Sequence, residues 1–302
     1  MALNRAQILK ELEPGLNAIF GMEYDRYERE HEYLFTTENS RRAFEEEVLF
    51  TGFGAAPSKP EGAAVTYDEA RESWVSRYNH ETIALAFSIT EESIEDNLYD
   101  TLGSRLSKAL ARSMAHTKQV KGANILNNAF SGSFLGGDQV ALLATNHPMI
   151  DGAEQSNKPA TDADLSEAAL EDALIAISEF LDDRGINIAV QARKLCVPPE
   201  LVFVAERLLM TPGRPGTANN DVNAIKQMGM FPDGFSVNHR LTDPDAWFIT
   251  TDAPNGLKHF ERSSLTTKME GDFETGNVRY KARERYSFGW SEWRGLYGSS
   301  GA

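Results

Sequence analysis

Cysteine is almost missing: Cys196 stands alone in 302 residues and no Cys-x-x-Cys pair occurs. That excludes an internal disulfide scaffold and a structural zinc knot, and points to synthesis in a reducing compartment. Long apolar runs are missing too. Nothing approaches the roughly eighteen continuous apolar residues of a membrane span, and the longest runs, such as 201–205, read as buried strands or helix faces. The start, Met1-Ala-Leu-Asn-Arg5, enters polar amphipathic sequence without an apolar leader segment, so the mature chain is expected to begin there. Positive charge is scarce, with 30 Lys and Arg against 45 Asp and Glu and a net charge of −15. Interspersed as the charges are along the chain, this balance disfavours a protein that grips nucleic acid through a basic face.

Signatures of catalysis are equally sparse. Gly52-Phe-Gly54 opens a dinucleotide-like pattern, but Pro57 occupies the place of the third glycine. His31-Glu32 fails as a zinc helix because Phe35 stands where the second histidine belongs. No P-loop or Gly-x-Ser-x-Gly elbow occurs.

What is present is a varied α+β chain. Asn4 to Glu13 suits a short helix that Pro14-Gly15 stops. Residues 23–47 are densely charged, with Tyr24, Tyr27, Tyr33, Phe35 and Phe44 among them, and have too few aliphatics for a core of their own, so a partner surface is expected. Residues 48–67 read as a long hairpin, with a Gly/Ala/Pro/Ser tip and a strand-like return at 63–67. Strict alternation at 82–89 puts Ile83, Leu85, Phe87 and Ile89 on one strand face.

Thr90 then caps a long spine helix ending near Gly122, with apolar positions that include Ile94, Leu98, Leu102, Leu106, Ala109, Leu110, Met114 and Val120. A loop-rich stretch, 124–159, leads to an amphipathic helix at 165–181 with Ser166 as N-cap and a Leu165–Leu170 staple. A strand, a Pro198-Pro199 corner and a short helix follow, then short strands at 234–241 and 247–251. Two long strands, 257–269 and 277–288, close the chain as a hairpin.

Of the six histidines (His31, His80, His116, His147, His239 and His259), no two share a helical face at ligand spacing. His147, with Asp151 in the loop 145–151, is the leading site candidate because polar loops gather binding residues; ordinary turn chemistry is the competing reading. Asp162/Asp164 and Asp243/Asp245 fit caps and turns better than a metal site, and Cys196 reads as a buried inert thiol. No cofactor, no metal and no catalytic residue is expected.

The order of elements, with Phe87-Ser-Ile-Thr-Glu-Glu-Ser-Ile-Glu-Asp-Asn97, Leu195-Cys-Val-Pro-Pro-Glu-Leu201, Trp247-Phe-Ile249 and Phe288-Gly-Trp-Ser-Glu-Trp-Arg-Gly-Leu-Tyr-Gly298, resembles tailed-phage major capsid proteins of the Hong Kong 97 phage type. Within that family the chain is most similar to the phage Mu major head protein subgroup, although residues 45–78 do not align position by position.

The resemblance implies an N-terminal arm at 1–45 reaching over neighbours, an extended β-hairpin loop at 46–80 lying on an adjacent subunit, a peripheral domain with the spine helix at 81–124 and 255–302, and an axial α/β domain at 125–254. It implies a non-enzymatic subunit of the virion capsid, made in the host bacterial cytoplasm and self-assembling into hexamers and pentamers. Expected partners are scaffolding, portal and decoration proteins, and packaged double-stranded DNA bound without sequence specificity; no membrane is involved. Arg41, Arg42, Phe53, Pro57, Lys59, Pro60 and Glu61 are the expected inter-subunit contacts. Lys59, at the loop tip, is not expected to form a covalent Lys–Asn link, since no matching Asn and Glu can be identified. Two alternatives remain: an encapsulin-like compartment of the same fold, and a cytosolic α/β enzyme using His147 and Asp151.

Overall fold

The computed structural model describes residues 5–90, 92–93, 99–150, 152–214, 221–272 and 276–302. Helix α1 (Arg5–Tyr24) leads to a 3-10 turn (Glu30–Tyr33) and strands β1 (Thr36–Asn39), β2 (Phe44–Phe50), β3 (Glu72–Asn79) and β4 (Glu81–Ile89). The spine helix α2 (Tyr99–Asn127) follows, then β5 (His147–Pro148), β6 (Glu154–Gln155), α3 (Glu167–Ser178), β7 (Ala192–Val197), α4 (Val202–Met210), α5 (Ala224–Gln227) and β8 (Phe235–Val237). Strands β9 (Trp247–Thr251), β10 (Leu257–Gly271), β11 (Val278–Trp290) and β12 (Leu296–Ser299) complete the chain.

Two four-stranded sheets organise it, in the orders β1-β10-β11-β4 and β12-β9-β7-β8. The expected alternation at 82–89 builds β4, which pairs antiparallel with β11 from Ile89↔Val278 to Glu81↔Tyr286. The 257–288 hairpin is β10 and β11, and β7, the proline corner and α4 follow the expected order. Ser166 caps α3 by accepting from the Ala169 N–H, and Leu165 and Leu170 share the buried cluster of the second sheet.

Several expectations are corrected. Pro14 does not stop α1, which runs through it; the hydrogen bond that proline costs is offset where Leu16 and Phe20 bury against Leu110, Ala111 and Met114 of α2. Part of the charged stretch finds its cover within the subunit. Glu30, His31 and Phe35 are buried on their own subunit, and Glu30 accepts from the His239 backbone N–H, faces His239 Nδ1 and pairs with Arg240. The packed part of the arm, 13–35, therefore braces its own subunit.

Helix α2 continues to Asn127, past Gly122. A Cβ there would sit 3.2 Å from His31 Cβ and 3.5 Å from the Phe288 ring, so this glycine admits a close approach and does not end the helix. The buried face of α2 is built on Ser107, Leu110, Ala111, Met114, Ala123 and Leu126, whereas Leu102 and Ala109 of the expected stripe are exposed. Ile94 and Leu98 lie outside the described residues. Strand β12 pairs antiparallel with β9, so residues 296–299 belong to the second sheet.

Candidate assembly interface

The hairpin of β2 and β3 projects from the first sheet, and its root is firmly built. Tyr78 lies edge-on to Phe260 at 4.7 Å with its hydroxyl bonded to Ser291 Oγ at 2.5 Å, and it leaves room for nothing but glycine at 289, where a Cβ would come within 2.7 Å of the ring. Glu47 pairs with Lys258 and accepts from Ser291, and Lys258 also reaches Glu38 at 3.0 Å. Polar groups at the root are thus satisfied within one subunit.

Beyond Phe50 that self-sufficiency ends. Thr51 and Arg71 clamp the neck, with the Thr51 N–H and hydroxyl both donating to the Arg71 carbonyl and the Arg71 N–H donating to Thr51 Oγ1. Between them, residues 52–70 form no strand, and the expected strand at 63–67 is replaced by irregular chain after a turn in which Ala63 N–H bonds Pro60 O. Gly62, at φ +78, supplies the left-handed step of that turn.

All seven residues expected at the interface are exposed. Phe53 is 61% accessible, Pro57, Lys59, Pro60 and Glu61 share the open tip, and Arg41 and Arg42 lie at the hairpin base with Arg42 3.8 Å from Glu45. Loop and base bring them to one projecting element but not into one cluster.

One polar tether, missed in the sequence, holds the tip. Asp68 accepts from the Gly54 N–H at 2.7 Å and receives the Arg184 guanidinium on both oxygens, at 2.6 and 2.7 Å. Arg184 and the Gly54 and Glu69 N–H groups hold the Asp68 carboxyl well down, at about 2. Nothing in the sequence around Asp68 or Arg184 signals the pairing, because it joins positions 116 residues apart.

The catalytic candidate dissolves. His147 is fully buried, its Nδ1 2.7 Å from Asp138 Oδ2, its Nε2 3.1 Å from Asn157 Oδ1, and its ring stacked on Trp293 at 4.4 Å. Asn157 is the hub: its amide nitrogen donates to the carbonyls of Leu142, Trp293 and Leu296, and its oxygen also accepts from the Ala144 N–H. Asp151 lies outside the described residues. Cys196 is buried, and burial pushes its thiol up to about 12, which keeps it protonated and inert. Asp243 accepts from the Asp245 N–H as a turn, and Asp162 pairs with Lys158.

Beneath the arm, His31 and His259 meet at 5.3 Å with no carboxylate bonded to either ring among the described residues. Burial lowers both, His259 to about 3 with help from the nearby Lys118. Glu284, held by Lys118 at 3.5 Å, is pushed up by burial.

The profile of the phage capsid protein family matches residues 74–299. The chain belongs to that family. It is a phage capsid protein, a structural component of the virion. No curated protein sequence matches it. Among solved structures it is similar to the virus-like particle of Pyrococcus furiosus, at TM-score 0.53 and 13% identity over 94% of this chain and 97% of that one. It is also similar to the capsid of the native GTA particle, at TM-score 0.54 and 13% identity over 91% and 90%. The procapsid of bacteriophage JBD30 matches at TM-score 0.53 and 14% identity over 98% of this chain and 76% of that one. At these identities the likeness carries the fold, the mixed α+β capsid fold of the Hong Kong 97 phage type.

Proposed function

We propose that copies of this chain join by laying the loop 51–71 on an adjacent copy, closing hexamers and pentamers into a shell around double-stranded DNA. The observation that carries this is the loop itself: Phe53, Val65 and Tyr67 are 61%, 65% and 94% exposed on a segment with, among the described residues, a single side-chain tether to the rest of the subunit. Ordering such a segment costs conformational entropy that a neighbour's surface offsets by burying those side chains. Arg41, Arg42, Phe53, Pro57, Lys59, Pro60 and Glu61 are the contacts this reading uses, with scaffolding, portal and decoration proteins as further partners. The divisions 1–45, 46–80, 81–124 with 255–302, and 125–254 belong to the same reading, as does kinship with the phage Mu major head protein subgroup.

The net charge of −15 suits a wall to which DNA does not adhere. Family membership weighs for a phage head over an encapsulin-like compartment. The test is negative-stain electron microscopy with light scattering on the chain, alone and with its co-expressed partners. Shells, tubes, or rings of five or six subunits are expected; a monomer that persists with every partner overturns the reading.

A further inference from the structure

From Thr101 to Gly137 the chain holds no Asp or Glu, against 45 in all 302 residues, while Arg105, Lys108, Arg112, Lys118 and Lys121 all fall there. Most of that stretch is the spine helix α2. At 3.6 residues per turn, positions 105, 108, 112 and 116 lie within about 80° of one another around the helix and span about 16 Å along it. Arg105, Lys108, Ala109, Arg112 and His116 are all exposed. They stand opposite the face that Leu110, Ala111 and Met114 bury against Leu16, Phe20 and Tyr280. Past His116 the arm closes over the same face, where Gln119 is buried and donates to the Glu28 carbonyl. Lys118 and Lys121 leave it, for Glu284 and Glu81.

The carboxylates of the adjoining arm are already engaged. Glu23 is buried, lies 3.8 Å from Arg112 and accepts from the Tyr27 hydroxyl, which itself accepts from Arg112 Nε at 2.8 Å. Asp25 and Glu32 bond Arg29, and Glu28 accepts from Tyr33. Arg105, Lys108 and His116 have no ion pair among the described residues.

We propose that this face of α2 meets the phosphate backbone of double-stranded DNA without reading its sequence. The inference rests on the reading of a shell around DNA, and adds the surface that the DNA touches. Three cations flanked by the half-buried hydroxyl residues Ser104 and Ser113 supply phosphate-binding chemistry. A protein partner fits less well, because such interfaces have an apolar or aromatic centre and Ala109 is the one apolar residue of 105, 108, 109, 112 and 116. The net charge of −15 does not abolish the contact. Exposed charges are screened beyond about 8 Å at physiological salt, so a stretch without carboxylates acts as basic over its own length. Acidic surface elsewhere repels the duplex and confines the contact to this face.

A second row of cations is the competing surface. On β11, Arg279, Lys281 and Arg283 are exposed and Arg285 is half-exposed between buried neighbours, so the four form one strip. Carboxylates interrupt that strip: Glu270 stands opposite Arg279, and Asp272 pairs with it at 2.6 Å.

The experiment is fluorescence anisotropy of a duplex of about 30 base pairs and mixed sequence with the full chain, from about 50 to about 200 mM salt, beside labelled poly-glutamate. Arg105→Gln with Lys108→Gln is expected to weaken duplex binding at least tenfold at the lowest salt and to lower the slope of log affinity against log salt by about 2. Arg105→Lys with Lys108→Arg, which keeps both charges, and Lys281→Gln with Arg283→Gln on the β11 strip are each expected to stay within about threefold. Near-UV circular dichroism establishes that each variant folds. Absence of duplex binding by the unsubstituted chain, or a loss confined to the β11 pair, overturns the proposal. Tighter binding of poly-glutamate than of the duplex assigns the face to an acidic protein and overturns it as well. The assay needs no shell: a chain that binds the duplex and never assembles sinks the shell reading, whereas one that assembles but does not bind through Arg105 and Lys108 sinks this contact alone.

Discussion

The pocket around Asn157 and the loop 51–71 treat polar groups in opposite ways. Around Asn157 every side-chain polar atom of Asn157 and His147 faces a partner supplied by the same subunit, drawn from residues as far apart as Asp138 and Leu296. In the loop, charged and aromatic side chains stand in solvent, and one carboxylate, Asp68, ties the segment back. A buried network that is fully satisfied specifies one structure, whereas an exposed segment with a single tether can be re-used by a partner. The first region makes the subunit; the second leaves it open to assembly.

The sharpest way to break this contrast is Asn157→Leu. It strands three carbonyls and an N–H that Asn157 satisfies, and each such loss costs about 1–3 kcal/mol, so destabilisation above about 3 kcal/mol is expected. A urea midpoint within error of the unsubstituted chain would show the hub to be dispensable. Next is Gly295→Ala, whose new Cβ would lie 2.5 Å from Gly256 Cα, a backbone contact that no rotamer relieves. A loss of several kcal/mol is expected, read as a fall in melting temperature or failure to accumulate as soluble protein.

Acid sharpens the contrast at the arm junction. The folded-state value of His259, about 3, lies below its unfolded value of about 6.5, so its contribution is complete above pH ~6.5 and is lost as pH falls toward 3. Loss of about 2–3 kcal/mol by pH 4 is expected from this group. His31, lowered in the same direction, adds to it. Glu284, raised by burial, has the opposite sign: protonation on acidification relieves its cost. His259→Phe keeps the stacking on Phe288 and is expected to flatten the pH dependence of the denaturation midpoint between pH 7 and 4; an unchanged slope would assign acid lability elsewhere. The smallest effect on stability belongs to Arg184→Ala. Because the Asp68 bridge is exposed, the melting temperature is expected to stay put while hydrogen exchange and proteolysis at 52–70 accelerate.

Much of the fold was legible because it is written in local periodicity. The alternation at 82–89, the cap at Ser166, the proline corner and the terminal hairpin all depend on neighbours in sequence. The alternating basic residues from Arg279 to Arg285 carried the same kind of signal, but strand alternation alone did not say that one face would be covered and the other left open. The loop was legible as a glycine- and proline-rich excursion, although its tether was not, since Arg184 and Asp68 are joined only by folding. His147 misled for the same reason: an Asn-His-Pro string looks like an accessible turn until Asn157, Asp138 and Trp293 close over it.

By itself, the sequence determined the α+β class, the order of the main elements, the lack of a disulfide framework and the resemblance to a capsid family. Those follow from composition and from short-range patterns of apolar residues, which physics reads locally. Only the tertiary structure decided that the charged arm packs on its own subunit, that His147 is core, that Gly122 admits a ring instead of ending a helix, and that four scattered cations form one strip. Each of those turns on what covers a polar group, and cover comes from residues far away in the chain, brought close only when the sheets and the spine helix assemble.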